Sequence, residues 1–265
     1  MGKPTPEVVE GFWRTYLTTG EFEKERRQRQ LFRLLPGSPR CKNCYAPFQG
    51  TGSFIVKTIY GKEPSNLNPQ LCNICEQFAQ QYQGGAEVEL SLLFADVRGS
   101  TTLAESMNPT QYSQLINRFY KAATQVMVSS DALIDKIIGD QVAGMYVPGF
   151  AGPEHAHRAI DAAQNILKIT GHQDEDGPWI ELGVGVHTGT AFVGALGSEQ
   201  GTTDITVLGD AANIAARLST EAGIGEILIS NAAYTAAGIQ LDDLEQRTLA
   251  LKGRNEPLVV WVLPH

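Results

Sequence analysis

No apolar run in these 265 residues is long enough to span a bilayer, and the opening MGKPTPEVVEG lacks the apolar core of an export signal. Positive charge is in short supply: 21 Lys and Arg stand against 29 Asp and Glu, a formal net charge of −8. That balance offers no cationic footprint, so nucleic acid is not an expected partner. Histidine is scarce too, with five in all, which leaves a histidine metal site or a Ser-His-Asp triad unsupported. Hydrophobic residues at 42% and charged residues at 19% are ordinary for a globular chain. The length suits one large domain, or one domain with a small appendage. A cytoplasmic protein without a transmembrane segment is the expectation.

Cysteine occurs four times, always in pairs: Cys41–Lys42–Asn43–Cys44 and Cys72–Asn73–Ile74–Cys75. Disulfides are disfavoured in a reducing compartment. Two C-x-x-C knuckles instead supply four thiolates that can converge tetrahedrally on Zn2+. The stretch between them, about 27 residues, is longer than the usual ribbon loop. An iron–sulfur cluster, or free or redox-active thiols, therefore remain open beside structural zinc. With Cys41, Cys44, Cys72 and Cys75 all engaged, no thiol is left to act as a nucleophile.

Three regions separate along the chain. Residues 1–36 read as helical, with Val8, Val9, Phe12, Trp13, Tyr16 and Leu17 at helical period and Pro36-Gly37 closing the region. Its second half, EFEKERRQRQLFR, carries both signs of charge; a solvated helix face is the simpler reading, a partner-contact surface the sharper one. Residues 37–85 hold the cysteines around a Gly/Pro/Asn-rich middle, too small a core to stand without a metal. Gln83, Gly84 and Gly85 form the expected joint.

From 86 to 265 strands and helices alternate. A strand over Val88–Ala95 precedes a helix from Pro109 to about Val128. Strands Leu133–Ile138 and Val142–Val147 flank a turn at Gly139 and Asp140. A helix over Pro153–Ile169 follows, then strands Ile180–His187, Ala191–Leu196 and Asp204–Leu208, a helix from Ala211, and short β segments Glu226–Ser230, Arg247–Leu251 and Leu258–Leu263. The core order β-α-β-β-α-β predicts an α+β fold of the ferredoxin-like or polymerase-palm kind.

Asp96 closes a strand in SLLFADVRGST, and Asp140 sits in the hairpin of IDKIIGDQVAGMY. Each alone reads as a turn-former or helix cap. As a pair on neighbouring strands they are suited to two divalent cations, with hard carboxylate oxygens matching Mg2+ or Mn2+. The small-residue turn after Asp96 offers backbone N–H groups to a phosphate. Asp210, after Gly209, reads as a helix cap, His187 as structural, and Arg98 is left unassigned.

FADVRGST, DKIIGDQVAGMY, GVGVHTGTAFVGALG and DITVLGDAANIAARL together resemble the successive motifs of the class III adenylate/guanylate cyclase catalytic domain, over roughly residues 86 to 264. The resemblance implies a cyclase catalytic domain, here preceded by a small helical and four-cysteine N-terminal extension. It implies Asp96 and Asp140 as metal ligands, with the carbonyl of Val97 as a third, and Gly99, Ser100 and Thr101 as the triphosphate turn. It implies Lys136 and Asp204 as the pair that reads the purine; the Glu and Cys typical of relatives that make cyclic GMP are not at these places, so ATP is the expected substrate. Asn213 and Arg217 match the transition-state pair, four apart and so on one helix face. Lys252 matches a lysine that holds the terminal phosphates. The resemblance further implies two Mg2+ (or Mn2+) ions per site and a homodimer with sites shared between subunits. Guanylate cyclase activity, or a catalytically weak zinc-containing regulatory module on a cyclase fold, are the alternatives.

Overall fold

The computed structural model describes residues 4–197, 202–239, 244–250 and 256–264. In chain order it contains α1 (Pro6–Thr18), α2 (Glu23–Leu34), α3 (Gly50–Tyr60), α4 (Asn73–Gln81), β1 (Gly84–Val97), α5 (Ser100–Ser106) and α6 (Pro109–Ser129). The hairpin β2 (Leu133–Ile138) and β3 (Gln141–Tyr146) follows, then α7 (Pro148–Ala151), α8 (His155–Ile169), β4 (Leu182–Gly197) and β5 (Thr203–Leu208). The chain continues through α9 (Asp210–Glu221), β6 (Glu226–Ser230), α10 (Asn231–Ala237), β7 (Glu245–Leu249) and β8 (Leu258–Pro264). Two compact units form. One comprises Met1–Val88, Pro148–Gly152 and Phe192–Leu208; the other comprises Glu89–Val147, Pro153–Ala191 and Gly209–His265.

The second unit carries the expected βαββαβ core. Its strands run in the order β2-β3-β1-β4, continued by β6-β8-β7. This is the ferredoxin-like α+β arrangement. Local sequence explains the elements. Asn108 caps α6 by accepting the Thr110 N–H at 2.9 Å, Pro109 takes the first turn, and Ile116, Phe119, Ala123 and Met127 bury one face. In α8 Ala159, Ala163, Ile166 and Leu167 do the same. Gly139, at φ +64°, turns the β2–β3 hairpin. The β1–β3 ladder then pairs Leu93 with Gly144, Ala95 with Val142 and Asp96 with Gln141.

The first unit is held by an aromatic cluster. Phe12 stacks on Tyr82 with ring centroids 4.3 Å apart, and Trp13 and Tyr16 pack on Phe78. Trp13 is fully buried, and its indole N–H donates to the Tyr82 carbonyl at 2.8 Å. Trp13→Ala is expected to lower stability by ~3–5 kcal/mol, read as a shifted urea midpoint for this unit. In the same unit β5 pairs antiparallel with the Phe192–Gly197 end of β4.

Three sequence expectations change. Ile180–His187 and Ala191–Leu196 are not two strands; Thr188, Gly189 and Thr190 stay extended, and β4 is continuous. Gly84 and Gly85 are not a joint but the start of β1, where a Cβ on Gly85 would stand 2.4 Å from the Val193 carbonyl oxygen and one on Gly194 2.1 Å from that of Gly84. Glycine here answers close backbone approach, not flexibility. Asp210 is the first residue of α9 instead of its cap, a place taken by Gly209 at φ +131°. Its charge in the first turn favours the helix dipole.

Candidate active site and four-cysteine centre

In the second unit β1 ends beside the start of β3. The Val97 N–H donates to the Asp140 carbonyl at 3.0 Å, so the strand end bearing Asp96 is locked to the hairpin bearing Asp140. The Tyr120 hydroxyl donates to the Gly139 carbonyl and pins the turn from the α6 side. Burial, then the charge of Asp140, pushes the Tyr120 phenol up, which keeps it a donor.

Arg98, unassigned from sequence, binds both this rim and α9. Its guanidinium pairs with the Asp96 carboxylate and donates to the carbonyls of Thr220, at 2.6 Å, and Ala222, at 3.3 Å. Burial lowers its pKa, while Asp140 and Glu221 act in the opposite sense. Asp96 and Arg98 stand two apart where the chain leaves β1, a spacing that can bring two side chains to one face. That was the available signal. Gln141 adds a further tie to α9, donating from Nε2 to Ser219 Oγ at 3.2 Å.

Gly99, at φ +61°, leads from the strand into α5, whose first residues are Ser100 and Thr101. Asn213 and Arg217 lie on α9, the first exposed and the second half-buried. Lys136 is exposed on β2 beside a bulge and stands 3.9 Å from the buried Asp135. Asp204 lies on β5 in the first unit, where the Lys42 ammonium meets it at 2.5 Å. Lys252 lies outside the described residues. His187 is buried, with Nδ1 2.8 Å from the Ser230 hydroxyl oxygen.

Oxygen donors of this kind suit a hard divalent cation. Asp96 and Asp140 already place their negative field on one cation, Arg98. The donor set at this rim therefore fits Mg2+ or Mn2+.

The first unit gathers the four cysteines. Their sulfur atoms all lie within 4.8 Å of one another, and Cys44 and Cys72 are 3.7 Å apart. Four sulfurs around one tetrahedral ion with Zn–S near 2.3 Å would stand about 3.8 Å apart. Backbone N–H groups turn toward them: Cys72 N–H to Cys41 Sγ at 3.3 Å and Cys75 N–H to Cys72 Sγ at 3.4 Å. Asn43 Nδ2 donates to Cys75 Sγ at 3.5 Å. Burial works to lower the pKa of Lys62, but the cysteines outweigh it and the group is pushed up to about 12. A small core of Phe32, Phe48, Val56 and Leu71 surrounds the cysteines. The spacing and soft donors fit a single zinc-like ion.

Among the described residues no helix is long and apolar enough to cross a membrane. Residues 83–264 match the protein-family model described as the adenylate and guanylate cyclase catalytic domain. An adenylate cyclase of Anabaena cylindrica is 29% identical over 171 residues, 62% of this chain and 34% of that protein, so the match spans about a third of the relative's length. The solved guanylyl cyclase Cya2 superposes with a TM-score of 0.62 at 27% identity, covering 68% of this chain and 93% of the other. The adenylyl cyclase CyaB of P. aeruginosa does so with a TM-score of 0.58 at 26% identity, covering 68% and 95%.

Proposed function

This chain belongs to the adenylate and guanylate cyclase catalytic-domain family, and from that premise we propose that it converts ATP to 3′,5′-cyclic AMP and pyrophosphate, as a homodimer with sites shared between subunits. The observation that carries this reading is the end of β1, bearing Asp96, held to the hairpin turn bearing Asp140 by the Val97 N–H on the Asp140 carbonyl. Along the chain, a helical region at 1–36 and a four-cysteine segment at 37–85 would precede the catalytic domain at 86–265.

Asp96, Asp140 and the carbonyl of Val97 would hold two Mg2+ or Mn2+ ions, which when bound supply Lewis acidity and charge neutralisation at the α-phosphate. Gly99, Ser100 and Thr101 hold the triphosphate through backbone N–H groups and hydroxyls. Lys136 donates to the purine edge and Asp204 accepts from its exocyclic amine, a polarity suited to adenine. Asn213 orients the ribose so that its 3′-oxygen lies in line with the α-phosphorus. Arg217 balances the charge that grows on the phosphoryl oxygens as pyrophosphate leaves. Lys252 holds the terminal phosphates. Cys41, Cys44, Cys72 and Cys75 would hold a structural Zn2+.

Guanylate cyclase activity is the second reading, favoured by the likeness to Cya2. Turnover of ATP and GTP by the full chain, each with Mg2+ and with Mn2+, decides between them. The proposal expects kcat/KM for ATP to exceed that for GTP by at least about tenfold, the scale of one correctly placed polar contact. A ratio below one would transfer the assignment to GTP. Absence of both products would leave a regulatory module on a cyclase fold.

A further inference from the structure

Asp204 is expected to read the purine, yet its carboxylate is not presented by β5 alone. Within the first unit, Lys42 reaches it from inside the first cysteine knuckle, between Cys41 and Asn43, with Nζ 2.5 Å from Oδ1. The Lys42 side chain is only 7% exposed, whereas that of Asp204 is 39% exposed. The same oxygen accepts the Ile205 N–H at 2.9 Å. Two donors on Oδ1 hold that oxygen in place and leave the other carboxylate oxygen outside both contacts.

The lysine is itself held. Its backbone N–H donates to the Gln70 carbonyl at 2.9 Å, which ties one knuckle to the approach of the other. A second strut runs alongside: Asn68, buried, donates from Nδ2 to the Thr203 carbonyl at 3.0 Å, one residue before Asp204. Gln83 Nε2 reaches the Thr203 hydroxyl at 3.5 Å. Three side chains from the cysteine-bearing segment and its exit thus grip two adjacent residues of one strand. Burying the Lys42 ammonium costs desolvation, which is offset only where its partner is held in good geometry.

We propose that the four-cysteine knuckle positions the purine-reading carboxylate, with Lys42 as a specificity-determining positioning residue that acts through Asp204. The inference rests on the reading of Asp204 as the acceptor for the purine amine. It gives the cysteine centre a task in the reaction beyond holding its own segment together. Binding of any metal ion by Cys41 and Cys44 fixes the backbone on either side of Lys42, and so fixes the acceptor that the base meets.

The test uses the full chain with Lys42→Met, Lys42→Arg, Asp204→Ala and the double variant Lys42→Met/Asp204→Ala, measuring kcat and KM for ATP and GTP together with metal content. Lys42→Met is expected to keep the wild-type metal content and to raise KM for ATP about tenfold, with kcat changed less than about twofold and the ATP-over-GTP ratio falling about tenfold. Lys42→Arg, which restores the cation, should recover most of the ratio. The double variant should be no worse than Asp204→Ala alone, because both changes act on one contact. An unchanged ATP KM and ratio in Lys42→Met, with the ratio collapsed in Asp204→Ala, overturns the role of Lys42 while the purine reading stands. An unchanged ratio in Asp204→Ala removes the purine reading and this inference with it. Where Lys42→Met loses metal, the smaller Lys42→Gln carries the comparison; loss of metal by both, with the ratio of the remaining activity intact, marks Lys42 as structural and overturns the proposal.

Discussion

Asp96→Ala is expected to lower cyclase turnover by on the order of 10³-fold or more, since it removes a carboxylate from the site proposed to hold both metals. The loss should appear in kcat, because the charge the metals neutralise develops mainly in the transition state. Asp96 also partners Arg98, which reaches on to the Thr220 and Ala222 carbonyls at the end of α9. Alanine therefore risks disturbing α9 and with it Arg217. Asp96→Asn is the control: it keeps the shape and one acceptor for Arg98 while removing the charge a metal needs. Comparable inactivity in both variants assigns the loss to the carboxylate charge; activity surviving in Asp96→Asn assigns it to the Arg98 brace. Mixing Asp96→Ala with Arg217→Ala then tests the shared site. If metal ligands and Arg217 come from opposite subunits, each heterodimer has one intact site. Random reassortment of equal amounts should recover about a quarter of wild-type activity. No recovery, in a mixture shown to exchange subunits, would sink the shared-site reading.

Much of the second unit is legible in the sequence because its signals are local. Ile116, Phe119, Ala123 and Met127 recur at helical spacing, and Asn108-Pro109 announces the start of α6. Gly139-Asp140 between two apolar runs announces the β2–β3 hairpin, and the hairpin puts Asp140 in the turn, one residue before the Gln141 that pairs with Asp96. What cannot be read depends on partners distant in sequence. Gly85 looks like a joint until Val193 is known to press against it. Thr188-Gly189-Thr190 looks like a turn between strands until β4 is seen to run through it. Short elements escape for a related reason: α10 begins where Ser230 accepts the Ala233 N–H at 3.1 Å, but it is too brief to show a periodic face. The Lys42–Asp204 pair is the extreme case. Lys42 reads as filler between two cysteines, and nothing within either segment names its partner. The four motifs themselves named the family, a level of information that residue periodicity does not carry.

The four-cysteine centre yields the other large effect. On the proposed structural-zinc reading, Cys41→Ser is expected to reduce bound zinc from one per chain to less than about a tenth at micromolar protein, since a hydroxyl replaces one of four soft ligands. The energetic consequence follows from what surrounds the sulfurs. Phe32, Phe48, Val56 and Leu71 make a core too small to hold this segment without cross-linking, and a structural zinc contributes on the order of 10 kcal/mol to such a fold. The variant should therefore melt in two steps, with this segment first, and Cys44 should become open to thiol reagents under native conditions. Wild-type protein treated with a strong chelator should behave alike, and added zinc should restore the wild-type protein but not the variant. A colourless wild-type protein with stoichiometric zinc would separate this reading from an iron–sulfur cluster, which absorbs visible light. Full metal content in Cys41→Ser would overturn it. Because Lys42 sits between two of the ligands, loss of the ion should also loosen the grip on Asp204. If the proposed ATP site and zinc centre hold, metal release is expected to weaken ATP binding before it abolishes turnover, linking the state of the cysteines to the proposed activity.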